Sequence, residues 1–161
     1  MAKSVFYSFH YKRDVHRVQL VRNINALEGQ PVLNAQDWEA IRRQGDQAIE
    51  KWIDEQMKYK KAVIVLIGAE TANRPWVQYE IEHAWKIKKP LLGIKIHGLA
   101  SLSDGADEEG PDNFFADYSF RIPVFDPTVP DLFGSGIDTK ATYNNLANNI
   151  EQWSSEGVTR W

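Results

Sequence analysis

Apolar and polar positions along this chain follow two rhythms, one short and one long. The run "AVIVLIG" (62–68) is apolar without interruption, the mark of a strand covered on both faces. "SVFYSFHY" (4–11) is rich in β-branched and aromatic residues and predicts the first strand. "QPVL" (30–33), "PLLGIKIH" (90–97) and "RIPVF" (121–125) predict three more. Between them the apolar spacing lengthens to that of a helix. Residues 14–27 carry Val18, Val21 and Ile24 on one side. Residues 46–58 place Ile49, Trp52, Ile53, Gln56 and Met57 at i, i+3, i+4, i+7 and i+8, with Gln56 the single polar member. Residues 74–89 form a third helical stretch, and 138–154 a fourth with Tyr143, Leu146, Ala147, Ile150 and Trp153 on its apolar face. "NAQDWEAIRRQG" (34–45) reads as a long loop, and about 99–118 as an acidic, mobile one.

The order is therefore β-α-β-α-β-α-β-loop-β-α. Buried strands alternating with helices predict an α/β fold: a central, mainly parallel five-stranded sheet covered on both sides, in one domain over 1–161. Ligands of such sheets bind beyond the carboxyl ends of the strands, near the point where the strand order reverses. In this chain those ends are "SFHYKRD", "AQDWEAIRRQG" and "GAETANRPW".

One residue breaks its helix's pattern. In "RPWVQYEIEHAWKIKK" (74–89), Pro75 suits a first turn and lysines gather at the far end. Advancing about 100° per residue from Trp76, the residues Val77, Ile81, Ala84, Trp85 and Ile87 fill an arc of roughly 180°. Glu80 falls at roughly 40°, inside that arc. Carboxylates are rarely buried unless paired. Glu80 is either salt-bridged beneath the helix, or a partly desolvated acid beside a cleft, able to stabilise developing positive charge.

Composition narrows the field. At 161 residues, 43% hydrophobic and 25% charged, the chain has the make-up of a one-domain globule. Its net charge of -3 argues against a nucleic-acid binder. It has no cysteine, so disulfides and thiolate metal sites are excluded. The opening "MAKSVFYSFHY" lacks a signal-peptide core, and no apolar run approaches a membrane span, so a cytoplasmic protein is expected. Four histidines without HExxH or paired spacing predict no metal site. The P-loop, GxGxxG and GxSxG motifs are absent. The acidic run "DGADEEGPD" lacks calcium-loop spacing.

Other residues at the strand ends have two readings each. His10 and Tyr11 are placed either to touch a ligand or to serve structure. Arg42 and Arg43 precede Gly45 at a helix start, where they hold an anion or sit solvated. Asp37-Trp38 pairs an acid with a large aromatic, as a loop anchor or as a contact to a sugar and base.

"SVFYSFHYKRD", followed by "RRQGDQAIEKWIDEQMKYKKAVIVLIGAETANRPWVQYEIEHAW", resembles the TIR (Toll/interleukin-1 receptor) domains, closest to the TIR-like branch of Thoeris-type bacterial antiphage systems. The resemblance covers residues 3–97. Its most specific pieces are the first strand, "AVIVLIG" with its loop, and W-x-x-x-E in "WVQYE". It implies a flavodoxin-like three-layer fold and makes Glu80, the glutamate of W-x-x-x-E, the catalytic residue. Enzymatic members cleave the nicotinamide–ribose bond of NAD+, giving ADP-ribose or a cyclic ADP-ribose isomer that signals. The resemblance thus implies NAD+ as substrate rather than a resident cofactor, an effector protein reached through a diffusible product, and a homo-oligomer on activation. Phe9 and His10 would line the adenine or ribose end, with Trp76, Asp37 and Trp38 as further substrate contacts. Segment 34–45 corresponds to the family's BB loop, which often completes the site across a subunit contact. Here "RRQG" replaces the common proline-glycine pair.

Two other classes compete. A non-catalytic TIR adaptor would act through its loops, although the glutamate argues against it. A nucleoside deoxyribosyltransferase-like enzyme would exchange bases without consuming NAD+. A receiver-like domain ranks behind both, because no acidic cluster stands at the strand ends to hold magnesium.

Overall fold

The computed structural model describes residues 3–31, 35–100, 105–112, 115–134 and 136–160. Five parallel strands form one sheet in the order β2-β1-β3-β4-β5: β1 (Lys3–Ser8), β2 (Leu27–Glu28), β3 (Ala62–Ile67), β4 (Leu91–Lys95) and β5 (Val124–Phe125). β1 and β3 lie side by side with Val5 opposite Ala62 and Ser8 opposite Val65. The order reverses at this pair, as in flavodoxin-like folds. Every residue of β3 is buried, as its unbroken apolar run predicts.

Side chains alternate between two cores. Val5, Tyr7, Ile64 and Leu66 face α1 (Tyr11–Asn23) and α5 (Thr139–Trp153), meeting Val18, Val21, Leu146 and Ile150. Phe6, Val63, Val65 and Ile67 face the other way, toward Ile49 and Ile53 of α3 (Asp46–Met57) and Val77, Ile81 and Ala84 of α4 (Pro75–Lys86). The three-layer α/β/α architecture follows from this period-two partition. Ile81 is fully buried at its centre, where truncation to alanine costs about 2–5 kcal/mol.

Three local readings change. Within the expected loop the described chain forms a helix, α2 (Ala35–Arg43). Trp38 meets Trp52 of α3 edge-on, with ring centroids 6.4 Å apart, and Ile41 packs into the same core. Glu39 reaches toward Arg42 and Arg43 one turn on. Two apolar anchors and two ion pairs suffice when α3 supplies the surface. The second strand is Leu27–Glu28, and positions 30 and 31 of the expected 30–33 lie outside it. Pro31 cannot donate to a ladder, and Gln30 substitutes with its side chain. Tyr7 N–H donates to Gln30 Oε1 and Gln30 Nε2 donates to the Tyr7 carbonyl, both at 2.8 Å. Positions 32 and 33 lie outside the described residues. The first strand stops at Ser8, and the helix expected over 14–27 starts at Tyr11 and ends at Asn23; Asn25, at φ 61°, turns the chain left-handed.

The described part of the acidic loop is tied down. Arg13 grips Asp107 with two hydrogen bonds of 2.8 and 2.9 Å. Arg17, almost fully buried, adds bonds to the carbonyls of Leu99 and Gly105. Lys95 bridges Glu109 and Asp112. Gly110 crosses the end of β3 so closely that a Cβ there would meet the Gly68 carbonyl oxygen. This crossing covers the β3 end and leaves the β1 end free for a cleft.

Candidate functional site

α4 begins after Arg74, with Pro75 at its first position, and carries Glu80 back beneath the end of β1. There Ser8, the last residue of β1 and fully buried, donates its hydroxyl to Glu80 Oε1 at 2.6 Å. That bond joins residues 72 positions apart. Among the described residues no lysine or arginine makes an ion pair with Glu80, so the salt-bridged reading is set aside. Removal from water raises the Glu80 carboxyl to about 8, and the Ser8 hydroxyl opposes that rise only in part. Glu80 retains partial exposure because it lines a cavity.

The cavity has a volume of about 510 Å³, the size of an ordinary small-molecule site. It opens at the carboxyl ends of β1 and β2, beside the β1–β3 pair at which the strand order reverses, and reaches both helix layers. Trp76, Val77 and Glu80 come from α4, Trp52 and Ile53 from α3, and Trp38 and Arg42 from α2. Phe9, His10, Tyr11 and Lys12 form the link from β1 into α1. On the α1 side stand Tyr7, Arg22 and Gln30, with the Arg22 guanidinium 5.5 Å from the centre of the Tyr7 ring and bonded to the Gln30 carbonyl at 2.8 Å. Burial pushes the Tyr7 hydroxyl up to about 12, so it stays protonated. His10 is driven below its ordinary value, first by burial and then by the Arg74 charge, and is neutral at neutral pH.

Of the residues singled out in the sequence, the structure brings Phe9, His10, Trp38, Trp76 and Glu80 to one cavity. Asp37 does not line it; it sits exposed on α2, one position from the inward-facing Trp38. Arg42 faces the cavity and Arg43 does not. Sequence reasoning missed Ser8, Gln30, Arg74 and Trp52 as site residues. Ser8 lies in a strand where an isolated serine carries no signal. Trp52 reads simply as core from its helical period. Arg74 immediately precedes Pro75-Trp76, and that nearness to W-x-x-x-E was the one available cue.

A carboxyl without a cation, hydrogen-bonded to one hydroxyl and walled by aromatic rings, suits stabilisation of a cationic, flat reacting group. Lys12, Arg22, Arg42 and Arg74 give the cavity a positive rim on a chain of net charge -3, which favours an anionic ligand body.

The family model for the TIR-like domain of Thoeris protein ThsB matches residues 6–101. A protein of Bacillus cereus (strain MSX-D12), named "Putative cyclic ADP-D-ribose synthase ThsB1", is 34% identical over 119 residues, or 71% of this chain and 62% of that protein. The chain thus spans under two thirds of the length of that curated relative. No helix of the described residues is long and apolar enough to cross a membrane.

Proposed function

The chain belongs to the family of Thoeris ThsB TIR-like domains, and from that premise we propose that it cleaves the nicotinamide–ribose bond of NAD+, with Glu80 as the catalytic residue. The observation that carries this reading is the Glu80 carboxyl itself: held by Ser8 at 2.6 Å, ion-paired with no lysine or arginine among the described residues, and facing a cavity of about 510 Å³. NAD+ supplies what such a carboxyl lacks. The positive charge of the nicotinamide ring favours the ionised form of Glu80, so binding is coupled to loss of its proton. The bond between the ribose carbon and the ring nitrogen then breaks with its electron pair going to nitrogen, and nicotinamide departs neutral. The ribose is left with oxocarbenium character, which the carboxylate stabilises across the short distance. Trp76, on the same helix as Glu80, offers a flat face for the ring.

Attack by water yields ADP-ribose and a proton. Attack by the substrate's own adenosine end yields a cyclic isomer, nicotinamide and a proton, and requires that water be kept out. The name of the Bacillus cereus relative favours the cyclic product for this chain too. The product would then act as a diffusible signal to a separate effector protein in antiphage defence, with basal turnover weak until a trigger arrives. Mass spectrometry of NAD+ incubated with concentrated protein tests the reading. Nicotinamide released by the wild type and not by Glu80→Gln is expected, with a co-product lighter than ADP-ribose by one water. No release from either protein, even with infected-cell lysate as trigger, overturns it.

A further inference from the structure

Glu70, on the turn after β3, has no part in the chemistry above, yet its Oε2 is the meeting point of three nitrogen groups. Arg13 Nη1 lies 3.2 Å away, Arg74 Nη2 3.9 Å and His10 Nε2 3.9 Å. His10 and Arg74 line the cavity. Arg13 is locked from behind by its two hydrogen bonds to Asp107, so one wall of the cluster is rigid. Arg74 is held loosely: its contact to Glu70 is long, and the two side chains are 46% and 47% exposed. A carboxylate oxygen ringed by two guanidiniums and an imidazole stands where a phosphate oxygen would stand.

We propose that His10, Arg13 and Arg74 form an anion subsite for the diphosphate of the dinucleotide, and that Glu70 fills it in the free protein as the counter-ion the substrate displaces. The ligand rests on the NAD+ reading above; the geometry does not. Displacement is easy because Glu70 is half exposed and two of its three contacts are at 3.9 Å, too long for hydrogen bonds. His10 serves as a neutral partner and the guanidiniums carry the charge. The arrangement also confers selectivity. A diphosphate, with two negative charges or more, outcompetes one carboxylate, whereas an uncharged nucleoside leaves Glu70 in place. Glu70 thereby sets a threshold against weakly charged ligands at a cavity whose rim is positive.

The test uses the full chain and inorganic pyrophosphate as the probe, titrated by calorimetry at low salt. Glu70→Gln is expected to bind pyrophosphate about threefold more tightly than the wild type, and Arg74→Ala about threefold less tightly. In the double variant most of the gain from Glu70→Gln should vanish, because the two side chains act on one another. Equal affinity of the wild type and Glu70→Gln overturns the proposal and makes Glu70 a structural tie only. If the thermal transition shows that Glu70→Gln does not fold, Arg74→Ala decides alone: unchanged pyrophosphate affinity overturns the subsite. Nicotinamide release from NAD+, measured in parallel, separates the two readings. The expected affinity order without NAD+ cleavage supports the subsite and removes the substrate. Cleavage with flat pyrophosphate affinities removes the subsite alone.

Discussion

Asp14 and Glu80 are both acids withdrawn from water near the carboxyl edge of the sheet, but Asp14 faces a guanidinium and Glu80 faces a hydroxyl and a cavity. Asp14 is fully buried in the first turn of α1, 3.3 Å from Arg17, against the Gly68 backbone. Burial raises its carboxyl and Arg17 pulls it back. Arg17 then continues to Asp107 and to the carbonyls of Leu99 and Gly105, so this acid belongs to a knot that fastens the acidic loop. Glu80 is raised to about 8 by burial, and Ser8 alone opposes the rise. An acid neutralised by its own fold has no charge left to offer a ligand. One left without a cation keeps that capacity in reserve.

The comparison is broken or sharpened by substitution. Glu80→Gln should lower NAD+ cleavage by at least about 100-fold, since the group facing the developing charge is gone, while the fold stays intact. Its stability also changes in a defined way. The native carboxyl holds its proton up to about pH 8, whereas the unfolded one releases it near 4.5. The native state therefore binds more protons across that window, and wild-type stability falls as pH rises through it. Glu80→Gln removes this contribution, so thermal unfolding measured from pH 5 to 8 should decline less steeply than in the wild type.

Arg17→Met should do the reverse. It leaves Asp14 buried and unpaired, costs about 3 kcal/mol in chemical denaturation, and spares Glu80 chemistry in the protein that remains folded. A substantial loss of turnover by folded Arg17→Met would show that the knot and the site are one unit.

Ser8→Ala removes the hydrogen bond that favours the ionised carboxylate. The pH at which cleavage switches on should move upward by about one unit. An unmoved profile with a merely scaled rate would mean that Ser8 packs rather than tunes. Smallest of all, Arg42→Ala should raise KM about threefold, because Arg42 faces the cavity, and Arg43→Ala should leave it unchanged, because Arg43 is 79% exposed outside it.

The order of strands and helices and the burial of β3 are legible in the sequence, because periodicity reports which faces avoid water. The same logic marks Glu80, an acid in an apolar arc, and W-x-x-x-E marks it again. α2 escaped it. Its apolar face is only Trp38 and Ile41, too narrow to register until α3 supplies the surface it lies on. Asp37 and Trp38 look like one feature in the sequence, but neighbours on a helix point about 100° apart, and Trp38 alone reaches the cavity.

By itself, then, the sequence determined the α/β layering and singled out a glutamate that needed a reason for its place. Tertiary structure decided what that reason is. It put the Ser8 hydroxyl against Glu80 across 72 residues, and it withheld from Glu80 the guanidinium that it gave to Asp14. It also brought His10 and Arg13, at the start of α1, to the oxygen of Glu70 that Arg74 reaches from four residues on. Spacing along a chain tells which side of an element a residue occupies. Which partner waits on that side depends on how distant elements cross, and local pattern holds no record of that.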